Sequence, residues 1–126
     1  MANASTVTNV GLGLITALLA ASDHKYVGWG VGTTEANVTD VGLETASVED
    51  RTSGTQTQQT TTTTDDTYRV VATIVDTVAA KAITEVVIMS ASTAGSCLMR
   101  ANFGAINVEP LDSVQFTINN VVDQSA

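Results

Sequence analysis

Three places in this sequence hold residue types that could do chemistry: a glycine ladder, a lone thiol with a lone imidazole, and a pair of aspartates. The ladder is Gly28, Gly30 and Gly32, alternating with Trp29 and Val31 in Y-V-G-W-G-V-G-T-T. Glycine-rich turns cradle phosphates when their N–H groups converge at a helix N-terminus. Here G-x-G-x-G has neither the spacing of a dinucleotide fingerprint nor the Gly-Lys-Ser/Thr of a P-loop, and no helix is predicted after it. Nucleotide binding is therefore not expected. Cys97 is the only cysteine and His24 the only histidine. A nucleophilic thiol needs a base, and one Cys with one His does not complete a structural zinc site. Among apolar neighbours, Cys97 reads as a small buried hydrophobe, and no intrachain disulfide is possible. Asp65-Asp66 could ligate calcium, but such a site needs six or more oxygens in a defined loop, and the D-x-D-x-D-G spacing is missing. The inventory is nearly empty. We expect no catalytic residue, no cofactor, no metal and no enzyme.

The elements that position these residues start from the ladder itself. Tyr26, Val27, Trp29 and Val31 suit a pleated, half-buried strand. With Gly28, Gly30 and Gly32 at every second position, one face of that strand lacks side chains. Such a face weakens a strand unless a backbone, a ring or a neighbouring sheet packs closely on it. Trp29, between two glycines, is expected to be a core anchor. Residues 33–40 are polar turn chemistry, with Asn37 and Asp40 able to bond their own backbone. Leu43 returns the chain to the core, so residues 26–44 read as strand, long ordered loop, short strand.

At 126 residues the chain is long enough for one domain with a real core. Hydrophobic residues make up 44% and charged residues only 14%, below the usual quarter. Threonine, serine, asparagine and glutamine fill the gap, which suits strands and turns better than surface helices. Five basic residues against 13 acidic ones leave a net charge of -8. That field repels phosphate backbones and anionic membranes, so neither nucleic acid nor membrane is an expected partner.

Along the chain, residues 1–9 are small and polar and read as an extended arm. Residues 10–126 form a single domain that begins with a short helix at about 10–21. In that segment Leu12, Ile15 and Leu19 follow helical spacing, as do Leu14 and Leu18, so it is apolar on most sides. Thr8 or Asn9 is the expected N-cap. A dozen residues fall short of the ~20 that span a bilayer. No basic residue precedes Lys25, so the segment is not read as a signal peptide. A helix apolar all round should be buried. Leu12, Leu14, Ile15, Leu18 and Leu19 are therefore candidate contacts to a second subunit or another partner. Residues 44–51 read as a charged edge strand or loop, and the threonine-rich run 55–64 as an exposed edge strand, a β-arm or a flexible loop. Alternating strands are predicted over 67–78, 83–90, 96–103 and 112–122, with a hairpin loop at 93–95 and Pro110 ahead of the last strand. The pattern predicts a mainly β protein, an antiparallel β-sandwich of jelly-roll or immunoglobulin-like type.

The motifs combine into a recognisable order. It runs T-N-x-G-L-x-L-I at residues 8–15, G-V-G-T-T at 30–34, Asp40, Leu43-Glu44, I-T-E-V at 83–86, then Leu98, Arg100 and Phe103. This order resembles a group of tailed-bacteriophage virion proteins, seen as small head-decoration (cement) proteins and as modules of tail-fibre or baseplate-associated proteins. Glu35-Ala36-Asn37 stands where the pattern usually carries Ala-Pro, Val87 where glycine is usual, and Met89 where an aromatic is common. The resemblance implies no catalytic residues. It implies a decoration protein, made in the host cytoplasm and placed on the outer surface of the virion. There a homotrimer would bridge subunits of the major capsid protein. The alternative is a tail-fibre or host-attachment module whose loops bind a receptor. A single domain without coiled coil or collagen repeat favours decoration.

Overall fold

The computed structural model describes residues 5–124 and shows two antiparallel sheets packed face to face with one helix, a β-sandwich. The elements in chain order are α1 (Asn9–Ala20), β1 (Tyr26–Gly30), β2 (Thr52–Ser53), β3 (Thr55–Gln59), β4 (Thr67–Val75), β5 (Lys81–Met89), β6 (Cys97–Val108) and β7 (Ser113–Val121). One sheet has the order β2-β1-β5-β6 and the other β3-β4-β7. β2 and β3 are separated only by Gly54, so the chain changes sheets there within one residue. A methyl group at Gly54 would crowd Val70 and the Lys25 carbonyl, which explains the glycine at that corner.

Period-two alternation places the core. Tyr68, Val70, Ala72 and Ile74 of β4 point inward with Ile118 of β7, and meet Val27, Trp29, Val86 and Ile88 from the facing sheet. β5 departs from simple alternation: every residue from Ile83 to Met89 is buried. Val86 and Ile88 face the core. Glu85, Val87 and Met89, on the outer face, are covered by the long connection between β1 and β2. That connection acts as a third layer over the sheet.

α1 starts one residue earlier than the pattern suggests and is capped by Thr8, whose hydroxyl accepts the Gly11 N–H at 3.0 Å. The helix lies against β3 and β4 and is held by polar contacts. Gln56 donates to the carbonyls of Leu19 (3.1 Å) and Ser22 (2.8 Å), and Gln58 to the Gly13 carbonyl (2.9 Å). The Thr16 hydroxyl reaches the Asp65 carbonyl at 2.6 Å. Two glutamines of β3 thus tie the strand to carbonyls along and just beyond the helix. Within the chain the helix is covered on one side. Leu12 and Thr16 are buried in its own core, while Val10, Leu14 and Leu18 are 74%, 63% and 73% exposed.

Three boundaries differ from expectation for local reasons. The predicted short strand at Leu43 is absent, and the return is instead a single bridge between Gly30 and Ala46. The threonine run is a strand only through Gln59, where Asp66 ends it by gathering the N–H groups of Thr61, Thr62 and Thr63 at 2.8, 3.0 and 2.9 Å. β6 runs on to Val108, five residues past the predicted end, because it pairs with β5 across a bulge as far as Lys81. Of the arm predicted at 1–9, residues 1–4 lie outside the described residues, residues 5–8 precede the helix, and Asn9 belongs to it.

Candidate functional site

The glycine ladder, the loop after it, Glu85 and Arg100 form one polar cluster. β1 turns Val27 and Trp29 to the core and Gly28 and Gly30 to the outer face, where the loop backbone returns. Val31 N–H donates to the Thr45 carbonyl at 2.9 Å, and Ser47 N–H to the Trp29 carbonyl at 3.1 Å. A methyl group on Gly30 would overlap the Thr45 carbonyl, and one on Gly32 would overlap the Glu85 carboxylate and the Glu44 Cβ. The bare face is therefore a seat for backbone, as its composition predicted.

Glu85 sits at the centre with 0% exposure. Its Oε2 accepts from the N–H groups of Gly32 (2.7 Å) and Thr45 (2.9 Å). Its Oε1 accepts from Glu44 N–H (2.8 Å) and Arg100 Nε (3.0 Å). Arg100 then spends its other nitrogens on the loop, donating to Asp40 Oδ2 at 3.0 Å and to the Thr34 carbonyl at 2.9 Å. Asp40 also accepts the Asn37 N–H at 2.8 Å, closing the loop tip on itself. Burial alone would raise the pKa of Glu85. The N–H groups of Thr45, Glu44 and Gly32, with the guanidinium, outweigh it and hold the group below its ordinary value. Asp40 is lowered too, chiefly by the Asn37 N–H and then by Arg100. Both carboxylate oxygens of Glu85 have two donors each, and the cluster fixes the loop.

Gly32→Ala tests the seat. We expect it to destabilise by about 1–3 kcal/mol, the usual range for overpacking a filled site. Gly104→Ala, where an added methyl meets nothing within 4 Å, is the matched control and should stay within about 0.5 kcal/mol. Denaturant titration of both variants measures the difference, and equal stabilities would reject the close-approach account.

The other candidates are spent structurally. Both Asp66 oxygens accept N–H groups of the threonine turn, Thr61, Thr62 and Thr63, and one also takes the Thr67 hydroxyl at 2.8 Å. Those donors hold its carboxyl far below the ordinary range, the Thr61 N–H first. Cys97 is half-buried, and burial pushes its thiol up, followed by the charge of Asp40. The His24 ring meets Ser22 Oγ at 3.1 Å. Among the described residues no group of three or more His, Cys, Asp or Glu side chains is placed to hold a metal ion. Among the described residues no helix is long and apolar enough to cross a membrane. Of the five candidate contact residues, Leu12 is used within the subunit, Leu19 is partly buried against the core, and Leu14, Ile15 and Leu18 face solvent.

Sequence reasoning named part of one exposed surface and missed another. The first is the ridge Val10, Leu14, Leu18, spaced i, i+4, i+8 along one side of α1, of which Leu14 and Leu18 were expected contacts and Val10 was not. The second is an open groove between β6 and β7, lined by Met99, Ala101, Phe103, Ile106, Phe116 and Ile118. It exists because β6 and β7 end their sheets on the same side with no strand beyond either. Phe103 and Phe116, 5.9 Å apart between centroids, bridge the two sheets there. In comparisons with known proteins, no family model and no curated protein matches this chain.

Proposed function

We propose that this chain is a structural protein of a tailed-phage virion, a decoration protein that binds the outside of the head and stabilises it by bridging subunits of the major capsid protein. The carrying observation is the residue order that resembles such proteins, because six of its members meet in one place. Gly30, Gly32, Asp40, Glu44, Glu85 and Arg100 belong to that order, and together they build the loop cluster. A motif scattered over 70 positions thus has a common physical purpose, which is support for treating it as more than chance similarity. The role is mechanical: buried area added across capsid subunits resists the pressure of packaged DNA. A net charge of -8 disfavours contact with that DNA and favours the outer face. Self-association as a homotrimer belongs to the same reading.

The loop cluster also favours a second reading, a tail-fibre or host-attachment module. A rigidly held loop exposing Val38 and Val41, 101% and 83% exposed, is the form a receptor-binding loop takes.

Purified protein added to undecorated heads, followed by heating, separates the two. The decoration reading expects co-sedimentation with heads and DNA release at a higher temperature. Failure to bind heads, with recovery on tails or on a bacterial surface glycan, would transfer the protein to the second reading.

A further inference from the structure

We propose that α1 of one copy docks its ridge into the β6–β7 groove of the next copy, making a head-to-tail contact. The inference deepens the self-association part of the reading above and is independent of any virion.

Three observations lead to it. The first is charge. α1 contains no charged residue, and neither does β7. β6 contains one, Arg100, whose side chain is 3% exposed and committed to the loop. In a protein of net charge -8, most surfaces of two copies repel. The ridge and the groove are places where copies can approach without that cost. A foreign partner held by charge would find no anchor on either, so the fitting occupant is equally uncharged.

The second observation is shape. Val10, Leu14 and Leu18 form a convex row about 12 Å long, at 1.5 Å of rise per residue. The groove is shallow and open, about 540 Å³ in volume, and lies between two sheet edges. Packed sheets stand roughly 10 Å apart, so the side-chain row enters and the helix body stays at the rim. Large apolar side chains on both sides gain burial on contact.

The third is placement. α1 lies against β3 and β4, while the groove is walled by β7, and β3 and β7 are opposite edges of the same sheet. One subunit cannot join its own ridge to its own groove. Two different patches on opposite flanks make a heterologous interface, which closes into a ring when the rotation between copies allows it, as the homotrimer of the reading above requires. Edge strands normally guard themselves with lysine, proline or bulges. β7 has no lysine, no proline, no other charge and no bulge, which fits an edge region covered by a neighbour.

Mixing two variants tests the contact. Leu18→Glu spoils the ridge and keeps the groove; Ile106→Glu spoils the groove and keeps the ridge. Both positions are exposed, at 73% and 36%, and circular dichroism checks that each variant folds. Light scattering should find wild type as a closed oligomer of three or more 13.0 kDa subunits and each variant alone at 13.0 kDa. A one-to-one mixture should form a pair, because the intact ridge of one variant meets the intact groove of the other. A wild-type monomer, or a two-subunit species that does not grow with concentration, would overturn the proposal. So would a ridge variant that keeps the wild-type mass, since the groove would then hold something else. Monomeric variants that fail to pair on mixing would also overturn it, because ridge would then meet ridge. None of these results depends on binding to heads, so failure here and failure of the virion reading are distinguishable.

Discussion

Glu85→Ala is expected to lower the unfolding free energy by about 3–5 kcal/mol, the range for breaking a buried ion pair from one side. The magnitude follows from what is left behind. Three backbone N–H groups, those of Gly32, Glu44 and Thr45, lose their acceptor, and Arg100 keeps its charge in a nearly closed site. For a domain of this size the loss corresponds to a melting point roughly 10–20 °C lower. Removing Arg100 as well should cost less than the sum of the two single changes, because the second deletion removes the stranded charge. A Glu85→Ala protein within about 1 kcal/mol of wild type would show that the loop does not depend on this carboxylate. Acid provides a second readout. The folded-state pKa of Glu85 lies below the ordinary glutamate value of 4.5, so the unfolded chain binds the proton more readily. The stability it contributes is therefore present above about pH 4.5 and is lost as pH falls through the lower folded value. Glu85→Gln should lack that acid-labile part.

Trp29→Ala is the other change with a large expected effect, about 3–5 kcal/mol. Trp29 is 3% exposed and packs with Ile74, Ile83 and Val108, so truncation leaves a cavity between the two sheets. The ring also carries the Lys81 ammonium 5.2 Å from its centroid. That ammonium is within 3.5 Å of Glu49 and 3.9 Å of Asp76, so the substitution loosens a small charged group as well. Because Trp29 is the sole tryptophan, its fluorescence reports on one site. Emission should be blue-shifted and shielded from quenchers in the native protein. A quencher-accessible spectrum, or a loss below 1 kcal/mol in denaturant titration, would place the ring outside the core.

Alternation made the sandwich legible before any coordinates. Val114, Phe116 and Ile118 against Ser113, Gln115 and Thr117 can satisfy only a sheet with one wet face, and β7 is that sheet edge. Glu85 shows where alternation fails. On pattern alone it belongs to the outer face of β5 and should meet water, but a backbone layer folds over it and turns it into the most enclosed carboxylate of the cluster. Nothing in the spacing of residues 83–90 announces that layer. The bare glycine face did announce a close approach, though not which backbone would make it. The helix was legible as a helix and its leucines as contacts to a partner; which of them the chain covers itself was not legible. Counting leucines cannot distinguish a helix with two covered sides from one with a single covered side and an exposed ridge. The groove was hidden for a different reason: it is a property of strand order, set by β6 and β7 ending their sheets together.

How the loop is gripped bears on how freely its sequence can drift. Glu85 and Arg100 hold it at the N–H groups of Gly32, Glu44 and Thr45 and at the carbonyl of Thr34, with Asp40 as the one side chain among the contacts. Main-chain groups are the same for nearly every residue type. The side chains of Glu35, Val38, Thr39 and Val41 all point away from that grip and are exposed. Substitution there leaves the anchoring bonds untouched, so the loop is a frame whose shape is inherited and whose outward lettering is open to change.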